Sequence, residues 1–160
     1  MPAQLNDLAI KLSQRLQQNH QFLTTAESCT GGGLGYFLTA IPGSSNWYER
    51  GFITYSNEAK IDMLKVNPET LQQYGAVSAQ TAREMAEGAL KHSKANISIA
   101  ITGIAGPDGG TPDKPVGTVW LAYAGTNINT QAFVDIYPGE RTAIRLAVIQ
   151  RAMEQLLTLL

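Results

Sequence analysis

Apolar side chains recur at helical spacing near both ends of this chain. Leu5, Leu8 and Leu12 lie three or four positions apart, and this spacing predicts an amphipathic helix over residues 3–19. Apolar residues with similar spacing follow Glu140 and predict a long final helix. Between the two helices, short apolar runs alternate with polar turns rich in glycine, a pattern typical of an α/β protein.

The short apolar runs predict a central sheet. The polar turn Gly125-Thr126-Asn127 lies between the last two runs, so we expect them to form an antiparallel hairpin. The earlier runs alternate with helical segments, as strands do in parallel sheets. The predicted fold is one α/β domain over residues 1–160, a three-layer α/β/α sandwich with a mixed, mostly parallel sheet. The predicted strands are 22–26, 47–56 with a core at 51–55, 97–101, 116–124 and 132–137. The helices between them are 31–40, 57–64, one that starts at Asn67-Pro68 and one that Ser78 caps.

Composition restricts the class of partner. The chain has 160 residues, 44% hydrophobic and 16% charged, with a net charge of -1, so nothing indicates binding to nucleic acid or to a membrane. A single cysteine cannot form an internal disulfide, and the sequence shows neither a signal peptide nor an apolar run of transmembrane length. These features predict a cytoplasmic protein, and the low charge together with the apolar final helix is compatible with a homodimer.

A glycine-rich turn follows the first predicted strand and leads into a helix. The turn contains Ser28, Cys29 and Thr30, with Glu27 before them and three glycines after them. Such a turn leaves backbone N–H groups at the start of the helix, where they can bind an anion or a developing oxyanion. The same residue types are also common as ordinary helix caps. From this turn alone, a reactive site and a capped α/β turn are both open.

A nucleophilic serine in this turn would need a base other than histidine. His20 and His92 lie at predicted helix ends, away from both glycine-rich segments, and lysine is the known alternative base. Lys60 falls in the first turn of a predicted helix, where the helix dipole is expected to lower its pKa. Tyr55, just before it, could relay a proton or orient the base. A solvated lysine and a packed tyrosine are the structural alternatives.

A second glycine-rich loop, residues 102–110, follows another predicted strand. Loops at the carboxyl ends of neighbouring strands meet at one edge of a sheet, so we expect Thr102 and the amides that follow it to face the first turn. Asp108 and Asp113 could hold a metal ion, although carboxylates in such loops are more often turn formers.

Two arginines open the final helix. Arg141 and Arg145 lie four positions apart on one face, where two guanidinium groups could clamp a phosphate; a solvated helix face is the alternative. The sequence contains no H-E-x-x-H, no paired-cysteine motif and no Walker A lysine, so zinc and P-loop sites are not indicated. Cys29 is the rival nucleophile to Ser28, unless its thiol is buried and inert.

Taken together, these motifs resemble the CinA C-terminal domain family. The likeness covers nearly the whole chain, from about Leu5 to the final helix, and it matches the stand-alone form of the domain. The segments that carry it are TTAESCTGG (24–32), GSSNWYERGFITYSNEAK (43–60), GAVS (75–78), TGIAGPDGG (102–110), KPVGTVW (114–120) and GERTAIR (139–145).

The resemblance implies an enzyme that hydrolyses the carboxamide of nicotinamide mononucleotide to nicotinate mononucleotide and ammonia, in pyridine nucleotide salvage, with no metal or other cofactor. It makes Ser28 the nucleophile and Lys60 the general base, with Tyr55 close by. The other residues that it assigns are substrate contacts: Thr30 and the amides of Gly31 and Gly32 in the oxyanion and substrate pocket, Ser45, Thr102, Gly103 and Gly106 on the substrate, and Arg141 or Arg145 at the phosphate.

Two other functions stay open on the sequence. A non-catalytic nucleotide-binding module with a regulatory role would use the same loops and arginines. A metal-dependent phosphohydrolase would use Asp108 and Asp113. The module differs from the hydrolase in whether Ser28 and Lys60 affect turnover or only binding.

Overall fold

The computed structural model describes residues 2–160, and its centre is a five-stranded sheet with helices on both faces. The strands are β1 (Leu23–Glu27), β2 (Tyr48–Ile53), β3 (Ile97–Gly103), β4 (Thr118–Gly125) and β5 (Ile128–Ile136), in the spatial order β2-β1-β3-β4-β5. The helices are α1 (Ala3–Gln18), α2 (Gly33–Thr39), α3 (Asn57–Leu64), α4 (Pro68–Tyr74), α5 (Ala79–Lys91) and α6 (Arg141–Leu159), and a short 3-10 turn, Ser44–Asn46, precedes β2. The predicted three-layer sandwich is confirmed.

The sheet is mixed, as predicted. Strand β1 pairs in parallel with both β2 and β3, whereas β4 runs antiparallel to β3 and to β5. Only β4 is therefore reversed, and the other strands share one direction. The carboxyl ends of β1, β2 and β3 lie side by side, since Glu27 pairs with Ile53 on one side and Ile101 on the other. The loops after these three strands form one edge of the sheet, where the functional site lies.

Each face of the sheet has its own apolar core. Helices α1, α2 and α6 cover one face, where large side chains such as Leu12, Phe37 and Val148 meet Ile99 and Leu121 of the sheet. Helices α3, α4 and α5 cover the other face, where the strands present mainly alanines and α5 packs closely. Within residues 2–160, no helix combines the length and the hydropathy that a membrane span requires.

Some predicted boundaries were wrong. Strand β2, Tyr48–Ile53, lies within the predicted segment 47–56 but ends before the predicted core 51–55 does, because the chain leaves the sheet after Ile53. Strand β5 begins four residues before the predicted Ala132, so the hairpin turn is short. Helix α2 begins only at Gly33, because Gly31 and Gly32 adopt the left-handed conformation, with φ of 58° and 94°.

Candidate active site

The structure brings the side chains of Ser28 and Lys60 together at the carboxyl edge of the sheet. Ser28 follows β1 directly, and its N–H donates to the carbonyl of Ile101 in β3 at 3.0 Å. Lys60 projects from α3, and its Nζ lies 3.0 Å from Ser28 Oγ. Both residues are buried, with exposed fractions of 8% for Ser28 and 1% for Lys60. The two residues proposed as nucleophile and base are thus in hydrogen-bond contact.

Backbone carbonyls surround the amino group of Lys60. Its Nζ donates to Thr54 O at 2.8 Å, to Tyr55 O at 3.3 Å and to Ser56 O at 3.5 Å, all in the segment between β2 and α3. A neutral amine has two N–H groups and one lone pair. Neutral Lys60 can therefore donate to the two nearer carbonyls while its lone pair accepts the hydroxyl proton of Ser28.

Burial makes the protonated amino group of Lys60 more acidic than that of an ordinary lysine. Desolvation lowers the pKa of Lys60 from its ordinary value of 10.5 to about 8, although a thiolate at Cys29 would raise it. This is the expected direction, and burial of the side chain is its largest cause. The contribution expected from the dipole of α3 stays a prediction. A base with a pKa near 8 is partly neutral at physiological pH.

The turn after Ser28 does not leave the start of α2 open to a ligand. The carboxylate of Glu27 accepts the N–H groups of Leu34 at 2.8 Å and Gly35 at 3.0 Å, and the carbonyl of Thr30 accepts the N–H of Gly33 at 3.0 Å. The expectation that these helical amides bind an anion was therefore wrong, because the chain satisfies them itself. The amides of Cys29 and Thr30, one and two residues after Ser28, donate to no other residue within residues 2–160.

A cavity of about 280 Å³ opens beside Ser28 and Lys60. Strand β3 pairs with β1, so the loop that begins at Thr102 faces the turn after Ser28, as predicted. The cavity is bounded by the turn after β1, the segment before α3, the α4–α5 link, the loop after β3 and the start of α6. Its lining residues are Ser28, Cys29, Tyr55, Asn57, Lys60, Ala76, Val77, Thr102, Gly103, Ile104, Ala105, Gly106, Asp108, Gly109 and Arg141.

Arg141 and Tyr55 meet at the mouth of this cavity. The guanidinium of Arg141 donates to Gly106 O and, at 3.1 Å, to the hydroxyl of Tyr55. The side chain of Tyr55 is 61% exposed, and the residue reaches Lys60 only through its backbone carbonyl. The idea that the Tyr55 hydroxyl relays a proton to Lys60 is not supported by these contacts, because the hydroxyl points to Arg141. Arg141 is the arginine that lines the cavity.

Arg145 does not share the cavity with Arg141. Its Nη2 donates to the carbonyl of Thr30, in the turn that follows Ser28, at 3.0 Å. The two arginines of α6 therefore do not converge on one ligand, and the predicted phosphate clamp is divided. Arg141 lines the cavity, whereas Arg145 braces the turn.

Three further predicted substrate contacts in the first turn lie outside the cavity lining. Thr30 is fully buried, and its hydroxyl donates to Glu27 at 2.7 Å rather than pointing to the cavity. The amide of Gly31 already donates to Ser28 O at 2.9 Å, and Gly32 packs against the side chain of Ile53. These residues shape the turn.

Ser45 lies at the opposite end of the strands from Ser28. It belongs to the exposed 3-10 turn before β2, whose first residue pairs with the first residue of β1. Five residues of β1 separate this end from Ser28, which corresponds to roughly 16 Å at the rise of a strand. Ser45 therefore cannot share a small ligand with Ser28 in the same chain. Ser45 and Lys60 are close in the sequence, so their positions along the chain do not show that they lie at opposite ends of the strands.

The loop after β3 supplies most of the predicted contacts. Thr102, Gly103 and Gly106 all line the cavity, as expected. The Thr102 hydroxyl, however, already donates to Ala76 O at 2.8 Å, so it joins the loop to the α4–α5 link. Gly103 has room for no side chain, because a Cβ there would overlap the backbone and side chain of Thr118 and Val119.

The thiol of Cys29, the residue after Ser28, is a poor candidate for the attacking group. Cys29 is 7% exposed, and burial raises the pKa of its thiol to about 11, although its own N–H and Arg145 oppose this. The thiol is therefore protonated at neutral pH and is a poor nucleophile. The alternative that the sequence left open, a buried and unreactive Cys29, is favoured.

The remaining titratable candidates do not assemble. Asp108 lines the cavity but Asp113 does not, and residues 2–160 contain no group of three or more histidine, cysteine, aspartate or glutamate side chains that could hold a metal ion. His20 follows α1 and His92 ends α5, so both lie away from Ser28.

The sequence analysis missed several groups of the site. Asn57, Ala76 and Val77 line the cavity, and the carbonyl of Thr54 is the nearest acceptor of Lys60. Asn57 stands in a recognisable motif with Lys60, so its presence at the site could have been suspected. No residue type in the sequence marks a backbone carbonyl or the α4–α5 link as part of a site.

Comparison with known proteins places this site in a family. The model of the CinA C-terminal domain matches residues 5–160. The chain belongs to the CinA C-terminal domain family. Nicotinamide-nucleotide amidohydrolase PncC of Escherichia coli (strain K12) is 47% identical over 154 residues, which cover 96% of this chain and 93% of that protein. The protein of the same name from Pseudomonas putida is 42% identical over 156 residues, 97% of this chain and 96% of that one.

Solved structures have the same fold as this member of the CinA C-terminal domain family. The crystal structure of competence/damage inducible protein CihA from Agrobacterium tumefaciens superposes with a TM-score of 0.97 at 48% identity, covering 99% of this chain and 97% of that chain. A CinA superfamily protein from Escherichia coli gives a TM-score of 0.95 at 39% identity, with 100% and 93% covered. The curated relatives compared above are amidohydrolases by name, so the family contains enzymes.

Proposed function

We propose that this protein hydrolyses the carboxamide of nicotinamide mononucleotide, with Ser28 as nucleophile and Lys60 as general base. One observation supports this most: Nζ of a buried Lys60 with a lowered pKa lies 3.0 Å from Ser28 Oγ at the side of a cavity. The substrate follows from the amidohydrolase relatives that share about 47% of their sequence with this chain. The reaction belongs to pyridine nucleotide salvage. Location in the cytoplasm and assembly as a homodimer stay predictions from composition.

The chemical steps need only groups that are already in contact. Neutral Lys60 takes the proton of Ser28 Oγ as this oxygen attacks the carboxamide carbon, and a tetrahedral oxyanion forms. Protonated Lys60 then gives the proton to the leaving nitrogen, which departs as ammonia and leaves an ester on Ser28. Water, activated by the neutral Lys60, hydrolyses this ester and releases the carboxylate product. The carbonyls of Thr54 and Tyr55 hold Nζ in place during both transfers.

The oxyanion has a candidate donor beside the nucleophile. The Ser28 amide is already bonded to Ile101 O, so it is not available. The Cys29 amide donates to no other residue of the described chain, and Cys29 lines the cavity. We assign the Cys29 amide this role. Removal of one such donor elsewhere reduces catalysis by about 2.7–4 kcal/mol of transition-state stabilisation.

Arg141 is the residue that we assign to the phosphate of the substrate. It is the arginine that lines the cavity, and it lies at the mouth beside Tyr55. An arginine binds phosphate through two parallel N–H groups. The contact is remote from the carboxamide, so its binding energy would position the reacting group.

The first test is ammonia release by the wild-type protein in the presence of EDTA. Nicotinamide mononucleotide, nicotinamide riboside and free nicotinamide are compared at equal concentration. We expect release from the mononucleotide and a loss of at least about ten-fold in kcat/KM for each substrate without phosphate, because the arginine contact is lost. Tight binding of the mononucleotide without ammonia release would contradict the proposal and leave a nucleotide-binding module as the function.

A further inference from the structure

Glu27 is a buried carboxylate directly before the nucleophile. The residue is 1% exposed and does not line the cavity. Its Oε1 accepts the Thr30 hydroxyl at 2.7 Å and the Leu34 amide at 2.8 Å, and its Oε2 accepts the Gly35 amide at 3.0 Å. Burial of a carboxylate is unfavourable unless hydrogen bonds compensate for lost hydration, and here three donors do so. Glu27 therefore acts within the protein rather than on a ligand.

Thr30 links this carboxylate to the last helix. Its hydroxyl donates to Glu27, and its carbonyl accepts Arg145 Nη2 at 3.0 Å. The residue is fully buried, so neither group faces solvent. The turn from Ser28 to Gly31 is closed by its own hydrogen bond of 2.9 Å, and Thr30 lies inside that turn. Any shift of Thr30 therefore displaces the nucleophile turn.

Arg145 holds the other end of this chain of contacts. Its bond to Thr30 O is the one hydrogen bond that its side chain makes within residues 2–160, and its Nε is buried there without an acceptor. The guanidinium is thus directed to the turn although one of its donors stays unsatisfied. Arg141, one helical turn earlier in α6, lines the cavity.

We infer that Glu27, Thr30 and Arg145 form a positioning relay that fixes the Ser28 turn between β1, α2 and α6. This inference rests on the proposed function, because the reaction it serves is attack by Ser28. None of the three side chains is placed to touch the substrate. The relay sets where the amide of Cys29 lies relative to Ser28 Oγ, and a displacement of about 1 Å in such geometry can reduce a rate 10²-fold.

Thr30 offers a matched pair of variants for the test. Thr30→Val keeps the shape of the side chain and removes the hydroxyl, whereas Thr30→Ser keeps the hydroxyl. With nicotinamide mononucleotide we expect kcat to fall about 10²-fold in Thr30→Val while KM changes less than about three-fold, because the relay acts on the reacting geometry. Thr30→Ser should restore kcat to within about three-fold of wild type. Thr39→Val is the control, since Thr39 is an exposed threonine of α2 whose hydroxyl bonds only within that helix.

A second measurement tests the relay without using the proposed substrate. The rate at which a fluorophosphonate labels Ser28 depends on the nucleophile and its oxyanion donors, but not on nicotinamide mononucleotide. We expect slow labelling in Thr30→Val and near-normal labelling in Thr30→Ser and Thr39→Val. If wild type is labelled but releases no ammonia, the proposed function fails and the labelling series still decides the relay.

The relay would be overturned by equal kcat and equal labelling in Thr30→Val and Thr30→Ser, or by a loss confined to KM. Should Thr30→Val fail to fold, Arg145→Met and Arg145→Lys carry the same comparison from the other end. We expect a fall in kcat and in labelling of about ten-fold in the methionine variant and partial recovery in the lysine variant, which keeps a donor for Thr30 O. Equal values for these two variants would also overturn the relay.

Discussion

Burial gives Lys60 the lowered pKa that its proposed role as general base requires. The residue is 1% exposed, and its amino group is held by backbone carbonyls rather than by a carboxylate. Within the described chain no acidic side chain pairs with it to stabilise the charged form. Desolvation therefore dominates and lowers the pKa to about 8. This property leads to two predictions.

The first prediction is a rise of kcat/KM with pH. The base is active only when neutral, so activity is low below the pKa of Lys60, rises through about 8 and then levels. Cys29 does not enter this range, because the pKa of its thiol is about 11. Steady-state kinetics on nicotinamide mononucleotide from pH 6 to 9.5 measure the profile. A flat or falling profile would argue against Lys60 as the base.

The second prediction concerns stability. Between about pH 8 and 10.5 the unfolded chain keeps the Lys60 proton that the folded chain has lost, so the free energy of unfolding rises with pH in this window. Lys60→Met lacks this titration. Urea unfolding at pH 7, 8, 9 and 10 should therefore show wild type gaining stability relative to Lys60→Met as pH rises. A constant difference between the two proteins would contradict the lowered pKa.

At the level of single residues, the sequence predicted which side chains carry reactive groups better than it predicted where those side chains point. Ser28 and Lys60 were found from residue type, position before a helix and the lack of a nearby histidine, and they are in contact. Thr30 and Arg145 were expected at the substrate and instead face the protein interior or the turn. The direction of a side chain depends on the turn that carries it, and two left-handed glycines after Thr30 set that direction.

At the level of elements, the close packing of α5 on α3 determines where Lys60 lies. Gly88 of α5 faces the backbone carbonyl of Leu64, the last residue of α3, and a Cβ there would overlap that carbonyl. Lys60 lies one helical turn before Leu64. The contact between the two helices therefore fixes the distance of the base from the sheet.

Gly88→Ala tests this packing. In most helices the change would be stabilising by about 1 kcal/mol, because alanine is the better helix former. Here we expect destabilisation by about 1–3 kcal/mol, since the added methyl group forces α3 away from α5, and a fall in kcat as Lys60 moves. Urea denaturation and kinetics measure both, with Glu87→Ala on the exposed side of α5 as control. A stabilised variant with normal kcat would contradict the account.

Arg141, at the start of α6, gives a prediction about binding of the substrate phosphate. Arg141→Ala should raise KM for nicotinamide mononucleotide about 10- to 100-fold with a smaller change in kcat, because a charge-assisted contact in both ground and transition states is lost. Arg151→Ala on the same helix removes only an exposed ion pair with Asp135 and serves as the control. If KM is unchanged in Arg141→Ala, the phosphate lies elsewhere.

Elements were predicted well where pattern alone decides them. The alternation in 97–101 gave the buried central strand, and Asn57 to Leu64 was predicted with its observed bounds. The bounds of β2 and α2 were less accurate, because they depend on pairing with β1 and on glycine conformation. Those are tertiary facts that a local pattern does not contain.

At the level of the whole molecule, the order of strands explains why the site has its present composition. Strand β1 lies between β2 and β3, so the nucleophile turn, the segment that leads to Lys60 and the loop from Thr102 meet at one edge. The same arrangement keeps Ser45 away from the site, since Ser45 precedes β2 and lies at the other end of the strands. The sequence identified the parts, but only the sheet order decides which of them are neighbours.

The central claim is that Ser28 is the nucleophile, and the neighbouring residue provides the sharpest comparison. Ammonia release from nicotinamide mononucleotide is measured for wild type, Ser28→Ala and Cys29→Ala, after circular dichroism has shown that all three are folded. We expect Ser28→Ala to lose release by at least about 10³-fold while it still binds the nucleotide, and Cys29→Ala to keep activity within about five-fold. Release that persists in Ser28→Ala and disappears in Cys29→Ala would contradict the account.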